Sequence, residues 1–141
     1  MNTFLSGEVY FRFLPRGEHP FSKPIGVEPV GKWTKPSIVL VNEANYSDGY
    51  LFPYSYKLRG IGELVGMPVA ATGTAVWWEY LFTGDVVFGI PQMGILDNKD
   101  QLQENRDLIP DHQVENTYES RLKNEDLQLK KAVEVLLEKL K

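Results

Sequence analysis

Cysteine is absent from the 141 residues. That excludes disulfides, thiolate zinc sites and a thiol nucleophile, and for a bacterial protein it favours a periplasmic or other extracytoplasmic location. Histidine is scarce, with only His19 and His112, so imidazole chemistry has few candidates. No apolar run approaches the ~20 residues that span a bilayer. Fifteen basic against nineteen acidic side chains leave a net charge of -4, with no basic footprint for nucleic acid or an anionic membrane. Met1 to Gly7 lacks the basic start and apolar core of a signal peptide. There is no internal repeat and no low-complexity tract. Gly60, Gly62 and Gly66 do not have G-x-G-x-x-G spacing, and they follow a helical pattern where a phosphate loop should follow a strand. Asp97 and Asp100 do not match a calcium loop, and neither metal nor cofactor is expected.

What is present reads as one globular domain. Hydrophobic residues make up 43% and charged residues 24%, and a chain of this length buries roughly 68–70% of its unfolded surface. Residues 7–14 alternate Val9, Phe11 and Phe13 against Tyr10 and Arg12, the period of a half-buried strand. Five prolines between Pro15 and Pro36 mark an irregular connection anchored by Phe21, Ile25 and Val27. Ser37–Val41 is a β-branched apolar run that predicts a central strand covered on both faces.

Residues 47–59 read as a helix closed by Gly60, irregular or kinked at Pro53. A short strand over 63–66 follows. Strands over 73–83 and 85–96 flank a turn, with Pro91 at an edge or bulge, and Asp97 to Asp100 form a plain turn. Leu129, Ala132, Val133, Leu136, Leu137 and Leu140 share one helical face, which predicts a closing amphipathic helix capped by Asn124 and packed on a sheet. This order implies an α/β domain with a partly parallel sheet, whose ligands should collect beyond the strand end near residue 42.

Ser47 stands at the turn between that apolar strand and the first helix. There a serine serves either as a helix cap or, with its hydroxyl exposed, as a nucleophile beside an oxyanion-binding Asp48 N–H. Asn45-Tyr46-Ser47 is formally a glycosylation sequon, for which chance is the simpler account. Trp77, Trp78, Tyr80 and Phe82 crowd one strand, either for packing or as a wall for a peptide or sugar. Consecutive tryptophans face opposite sides of a strand, so at most one belongs to a one-sided core.

Several ordered segments together carry a resemblance. Val41-Asn42-Glu43, Ser47-Asp48, a helix through Gly60 and then Leu64-Val65-Gly66-Met67-Pro68 keep the order and spacing seen in the tail-specific (C-terminal processing) serine peptidases. The next turn, Ala70-Ala71-Thr72-Gly73-Thr74, lacks the lysine that serves as base in their bacterial branch. Gln103 to Asp111, with its Glu104-Asn105 and Pro110-Asp111, resembles instead the tricorn-like branch, as do Gly73 to Glu79 and Asp126 to Leu129.

The resemblance implies a partial crotonase-like core spanning residues 1–141, with a partly parallel sheet, a β-hairpin and a C-terminal amphipathic helix. It makes Ser47 the nucleophile, Glu104 the acid that orients a base, and the Asp48 N–H an oxyanion donor; Trp77 and Trp78 are candidate substrate-binding residues from the aromatic patch itself. Read on its own, without the resemblance, Glu104 is a solvated turn carboxylate. The family's histidine, a neighbouring serine and a glycine oxyanion donor fall upstream of the matched region. His19 and His112 occupy neither place, so this chain alone is expected to be close to inert, its partners being the missing upstream half and a peptide or protein substrate. A homo-oligomer is compatible with this reading. The alternative is a non-catalytic module that binds a peptide or glycan through Trp77 and Trp78.

Overall fold

The computed structural model describes residues 12–19, 21, 22, 33 and 35–141. The strand expected over 7–14 is seen from its end only, as β1 (Arg12–Pro15), which pairs with a two-residue β2 (Phe21–Ser22). Residues 7–11 and most of the proline-rich connection lie outside the described residues.

A parallel strand pair organises the first half of the fold. β3 (Ile38–Val41) leads into helix α1 (Asp48–Leu58), which returns the chain to β4 (Glu63–Gly66) in parallel register, Ile38 beside Glu63 and Val41 beside Gly66. The helix starts with acidic Asp48 and ends with Lys57, matching its dipole, and Gly60 takes the left-handed φ of 62° just beyond it. Pro53 lies inside α1 and has no N–H for the Gly49 carbonyl. The Asn45 side chain supplies the donor, its Nδ2 reaching that carbonyl at 3.0 Å, so the helix continues through its proline. Gly66 is required by close approach: its φ is 139°, and a Cβ there would stand 1.8 Å from the Val41 carbonyl oxygen.

The second sheet is antiparallel. β5 (Thr74–Tyr80) and β6 (Val87–Leu96) form the expected hairpin, and β1 lies along the other side of β6, giving the order β2-β1-β6-β5. Register slips between Ala75 and Val76, opposite Met93 and Pro91, so the proline sits at a bulge. β7 (His112–Gln113) then joins β4, completing the parallel order β3-β4-β7. Tyr50, Leu51 and Tyr56 of α1 pack with Val41, Leu64, Val69, Ile95 and Leu108 to form the core. Full burial of each such aliphatic side chain is worth about 1.5–3 kcal/mol.

Two expectations change. β3 is not central among the described residues: it bonds to β4 alone, and Leu40 remains 42% exposed. A β-branched run reports that a segment is extended and apolar, and it reads alike with one neighbouring strand or two. The closing helix forms as α3 (Leu127–Lys139), after a short α2 (Tyr118–Leu122) that the hydrophobic pattern did not announce. Asp126, not Asn124, caps α3, accepting the Leu129 N–H at 2.9 Å. The helix packs on β3 and β4 through Ala132 and Val135, whereas Leu129, Val133, Leu137 and Leu140 of the apolar stripe face outward. No helix of the described residues is long and apolar enough to cross a membrane.

Candidate active site

The chain leaves β3 through a turn built by two asparagines. Asn42 Oδ1 accepts the Ala44 N–H at 2.9 Å, and Asn45 Oδ1 accepts the Asn42 N–H at 2.8 Å. This turn delivers Ser47 to the start of α1 in an unusual backbone state, with φ 55° and ψ −115°. That region favours glycine, and a serine held there is strained by about 1–3 kcal/mol. Ser47 is the residue preceding the helix, yet its side chain makes no capping hydrogen bond. Its carbonyl accepts the Tyr50 N–H at 2.8 Å, and its own N–H donates to Thr72 Oγ1 at 2.7 Å. The backbone is therefore held on both sides, while the hydroxyl makes no hydrogen bond among the described residues. Asp48 follows at the first helical position, where backbone N–H groups have no partner within the helix and the dipole favours negative charge.

Opposite Ser47 runs the segment from Ala71 to Thr74. Thr72 bridges the Glu104 backbone in antiparallel fashion, and Thr74 Oγ1 donates to Glu104 Oε2 at 2.6 Å. Glu104 is thus half-buried and hydrogen-bonded. It is not the freely solvated turn carboxylate that its sequence context also allowed. Gly73 makes this contact feasible: a Cβ there would fall 2.0 Å from the Gln103 carbonyl oxygen.

Ser47, Thr72, Thr74 and Glu104 line one cavity of about 770 Å³, walled by Tyr46, Ala75, Val76, Trp78, Gly89 and Pro91. Trp78 lies opposite Gly89 in the hairpin, and a Cβ at residue 89 would meet its ring at 3.1 Å, so the glycine gives the indole room to lie across β6. Trp77 is half exposed and is not part of this wall, as alternation along β5 requires. Neither histidine lines the cavity. His19 is exposed on the turn after β1, and His112 on β7 meets Glu63, Nε2 to Oε2 at 2.6 Å. Among the described residues the cavity lining contains no histidine or lysine.

The structure therefore brings Ser47, Glu104 and Trp78 to one cavity and leaves Trp77, His19 and His112 outside it. Thr72 and Thr74 were missed as site residues. Their signal was slight: a Thr-Gly-Thr run entering a strand puts both hydroxyls on one side. A hydroxyl at a helix N-terminus sharing a cavity with a fixed carboxylate has two of the elements of acyl-transfer chemistry, and among the described residues no histidine or lysine base lines that cavity.

Residues 9–114 match the sequence pattern of peptidase family S41. Among proteins of curated function, none matches this sequence. Among solved structures, a protein of Parabacteroides merdae assigned as a peptidase superposes with a TM-score of 0.76 at 21% identity, covering 96% of this chain and 45% of its own. The tricorn protease aligns with a TM-score of 0.71 at 21% identity over 99% of this chain and 13% of its own. The photosystem II D1 C-terminal processing protease gives 0.64 at 13% identity, over 81% and 29%. The chain spans less than half the length of each of these three proteins.

Proposed function

The chain belongs to peptidase family S41, and from that we propose that Ser47 is the nucleophile of a serine peptidase whose base comes from a preceding part of the same core. The observation that carries the proposal is the strained, uncapped Ser47 in one cavity with the Thr74-bound Glu104. A mere cap would sit in an extended conformation and bond the helix N–H groups.

In this reading Ser47 Oγ attacks the peptide carbonyl as a histidine takes its proton. The tetrahedral oxyanion is held by the Asp48 N–H and by a glycine N–H from the preceding part. The amine then leaves with the histidine's proton, and water repeats the sequence on the acyl-enzyme. Glu104 orients the base, with one carboxylate oxygen already occupied by Thr74. Trp78 and its neighbours on β5 contact the substrate. A crotonase-like core and membership of the tricorn-like branch belong to the same proposal.

The second reading, a peptide- or glycan-binding module, is favoured by the exposure of Trp77, Trp78, Tyr80 and Phe82. It gives no reason for strain at Ser47. A fluorophosphonate probe separates the two. In the protein with its complete peptidase core, labelling is expected and should vanish in Ser47→Ala. Undiminished labelling of that variant would sink the nucleophile assignment.

A further inference from the structure

Beneath the cavity, α1 sends two tyrosines out of its core face to make polar contacts. Tyr50, only 1% exposed, donates its hydroxyl to Gln103 Oε1 at 2.7 Å. Tyr54 stacks on Tyr50, ring centroids 5.6 Å apart, and donates to Asp97 Oδ2 at 2.6 Å. Both acceptors lie on the loop from β6 to Glu104. Asp97 is fully buried, and its other oxygen accepts the N–H groups of Lys99 and Gln101 at 2.8 Å each, which curls the loop onto itself. Gln103 is equally buried; its N–H donates to the Ile95 carbonyl and its Nε2 to the Gln101 carbonyl, each at 2.8 Å. Glu104 is the next residue.

Apolar side chains would pack this helix on this loop without burying a phenol, an amide and a carboxylate, all of which lose hydration. What the polar set adds is direction and length. Non-directional packing tolerates a slip along the helix, whereas these hydrogen bonds are satisfied in one register only. Helix α1 begins directly after Ser47 and the loop leads into Glu104, so that register sets the relation between the two.

We propose that the Tyr50–Gln103 hydrogen bond, backed by Tyr54–Asp97, is a positioning strut that holds Glu104 in productive relation to Ser47. The strut rests on the peptidase reading above. Its protonation is stable around neutrality. Burial pushes the Tyr50 hydroxyl well above the usual phenol range, and burial together with the Asp97 hydrogen bond pushes Tyr54 up to about 12, so both remain donors. Burial opposes the Asp97 charge, but the Tyr54 hydroxyl and the Gln101 and Lys99 N–H groups outweigh it and hold the carboxyl below its ordinary value.

The test uses the protein with its complete peptidase core and the variants Tyr50→Phe, Gln103→Met, the pair combined, and Tyr54→Phe. Ser55→Ala is the control, since Ser55 Oγ donates to the Leu51 carbonyl within α1 and, among the described residues, to nothing on the loop. Acylation by a fluorophosphonate, kcat and KM on a peptide, and melting temperature are read together. Tyr50→Phe and Gln103→Met should each slow acylation and kcat about 10- to 100-fold, the scale of a sub-ångström to 1 Å misplacement. KM should stay within about twofold, and the double variant should be no slower than the worse single, because both remove one contact. Ser55→Ala should lower the melting temperature without slowing acylation. A strut that is only structural would give lower melting temperatures with wild-type acylation and kcat, and that result overturns the proposal. If Tyr50→Phe does not fold, Tyr54→Phe at wild-type acylation rate overturns it equally. Ser47→Ala keeps the two readings apart. Labelling that persists there removes the peptidase reading and the strut with it, whereas labelling lost there but unslowed in the tyrosine variants removes the strut alone.

Discussion

Replacing Ser47 with glycine should make the protein more stable, and the sign of that change separates a strained nucleophile from a helix cap. At φ 55° and ψ −115°, with no capping hydrogen bond, serine stores about 1–3 kcal/mol of backbone strain that glycine does not feel. Against this, glycine adds about 0.4–1 kcal/mol of unfolded-chain entropy. The net expectation is a gain of about 0.5–2 kcal/mol, or a rise of roughly 3–6 °C in Tm per kcal/mol for a domain this size. Ser47→Ala should stay within about 0.5 kcal/mol of the parent, because no cap is lost and alanine keeps the strain. A capping serine predicts the opposite: alanine losing about 0.5–2 kcal/mol and glycine a few tenths. Urea unfolding followed by far-UV circular dichroism is the suitable assay. Trp33, Trp77 and Trp78 are already 49%, 53% and 65% exposed, so their fluorescence will change little on unfolding. A glycine variant less stable than the parent, with alanine down by about 1 kcal/mol, would refute the reasoning.

Other expectations follow from the same geometry. Glu104→Gln should slow fluorophosphonate labelling of the complete core about 100-fold while leaving stability within about 1 kcal/mol, and Thr74→Val should slow it about tenfold by releasing Oε2. Trp78→Ala should raise KM for a peptide about tenfold with kcat little changed, since it removes a wall of the cavity and touches neither Ser47 nor Glu104 chemically. Gly73→Ala should destabilise by about 1–3 kcal/mol in denaturant titration, because its methyl would lie 2.0 Å from a backbone oxygen. Stability should fall below about pH 4.5. The Lys139 and His112 hydrogen bonds hold the Glu63 carboxyl below its ordinary 4.5, so its contribution is present above that value and lost as pH falls through the folded value. Glu63→Gln should flatten the first part of that acid limb in a pH-dependent melting series, modestly because the group is partly exposed.

Much of this was legible locally, because local chemistry depends on neighbours in the chain. The β-branched run at 38–41, the cap at Gly60, the hairpin with its bulge at Pro91 and the period of the last helix all report on residues a few positions apart. The placing of Ser47 before a helix belongs to the same class. Which side of an apolar element is covered does not. Of the stripe Leu129, Ala132, Val133, Leu136, Leu137 and Leu140, only Ala132 is buried, four members face outward, and Val135, off the stripe, makes the other contact.

The site divides in the same way. Ser47 and Glu104 were marked by ordered segments far apart in sequence. Their shared cavity, the strained backbone at Ser47, the hydroxyl of Thr74 on Glu104 and the exclusion of Trp77 and both histidines depend on long-range register. So does Asp97, which reads as an ordinary turn residue and lies fully buried under a tyrosine 43 positions away. Periodicity and turn chemistry are short-range and survive in the linear chain, so the elements and their order could be read there. Which side chains meet across the 57 positions from 47 to 104 rests on how helix α1 docks on the loop after β6, and docking depends on shape and hydrogen-bond partners that exist only once both elements are packed.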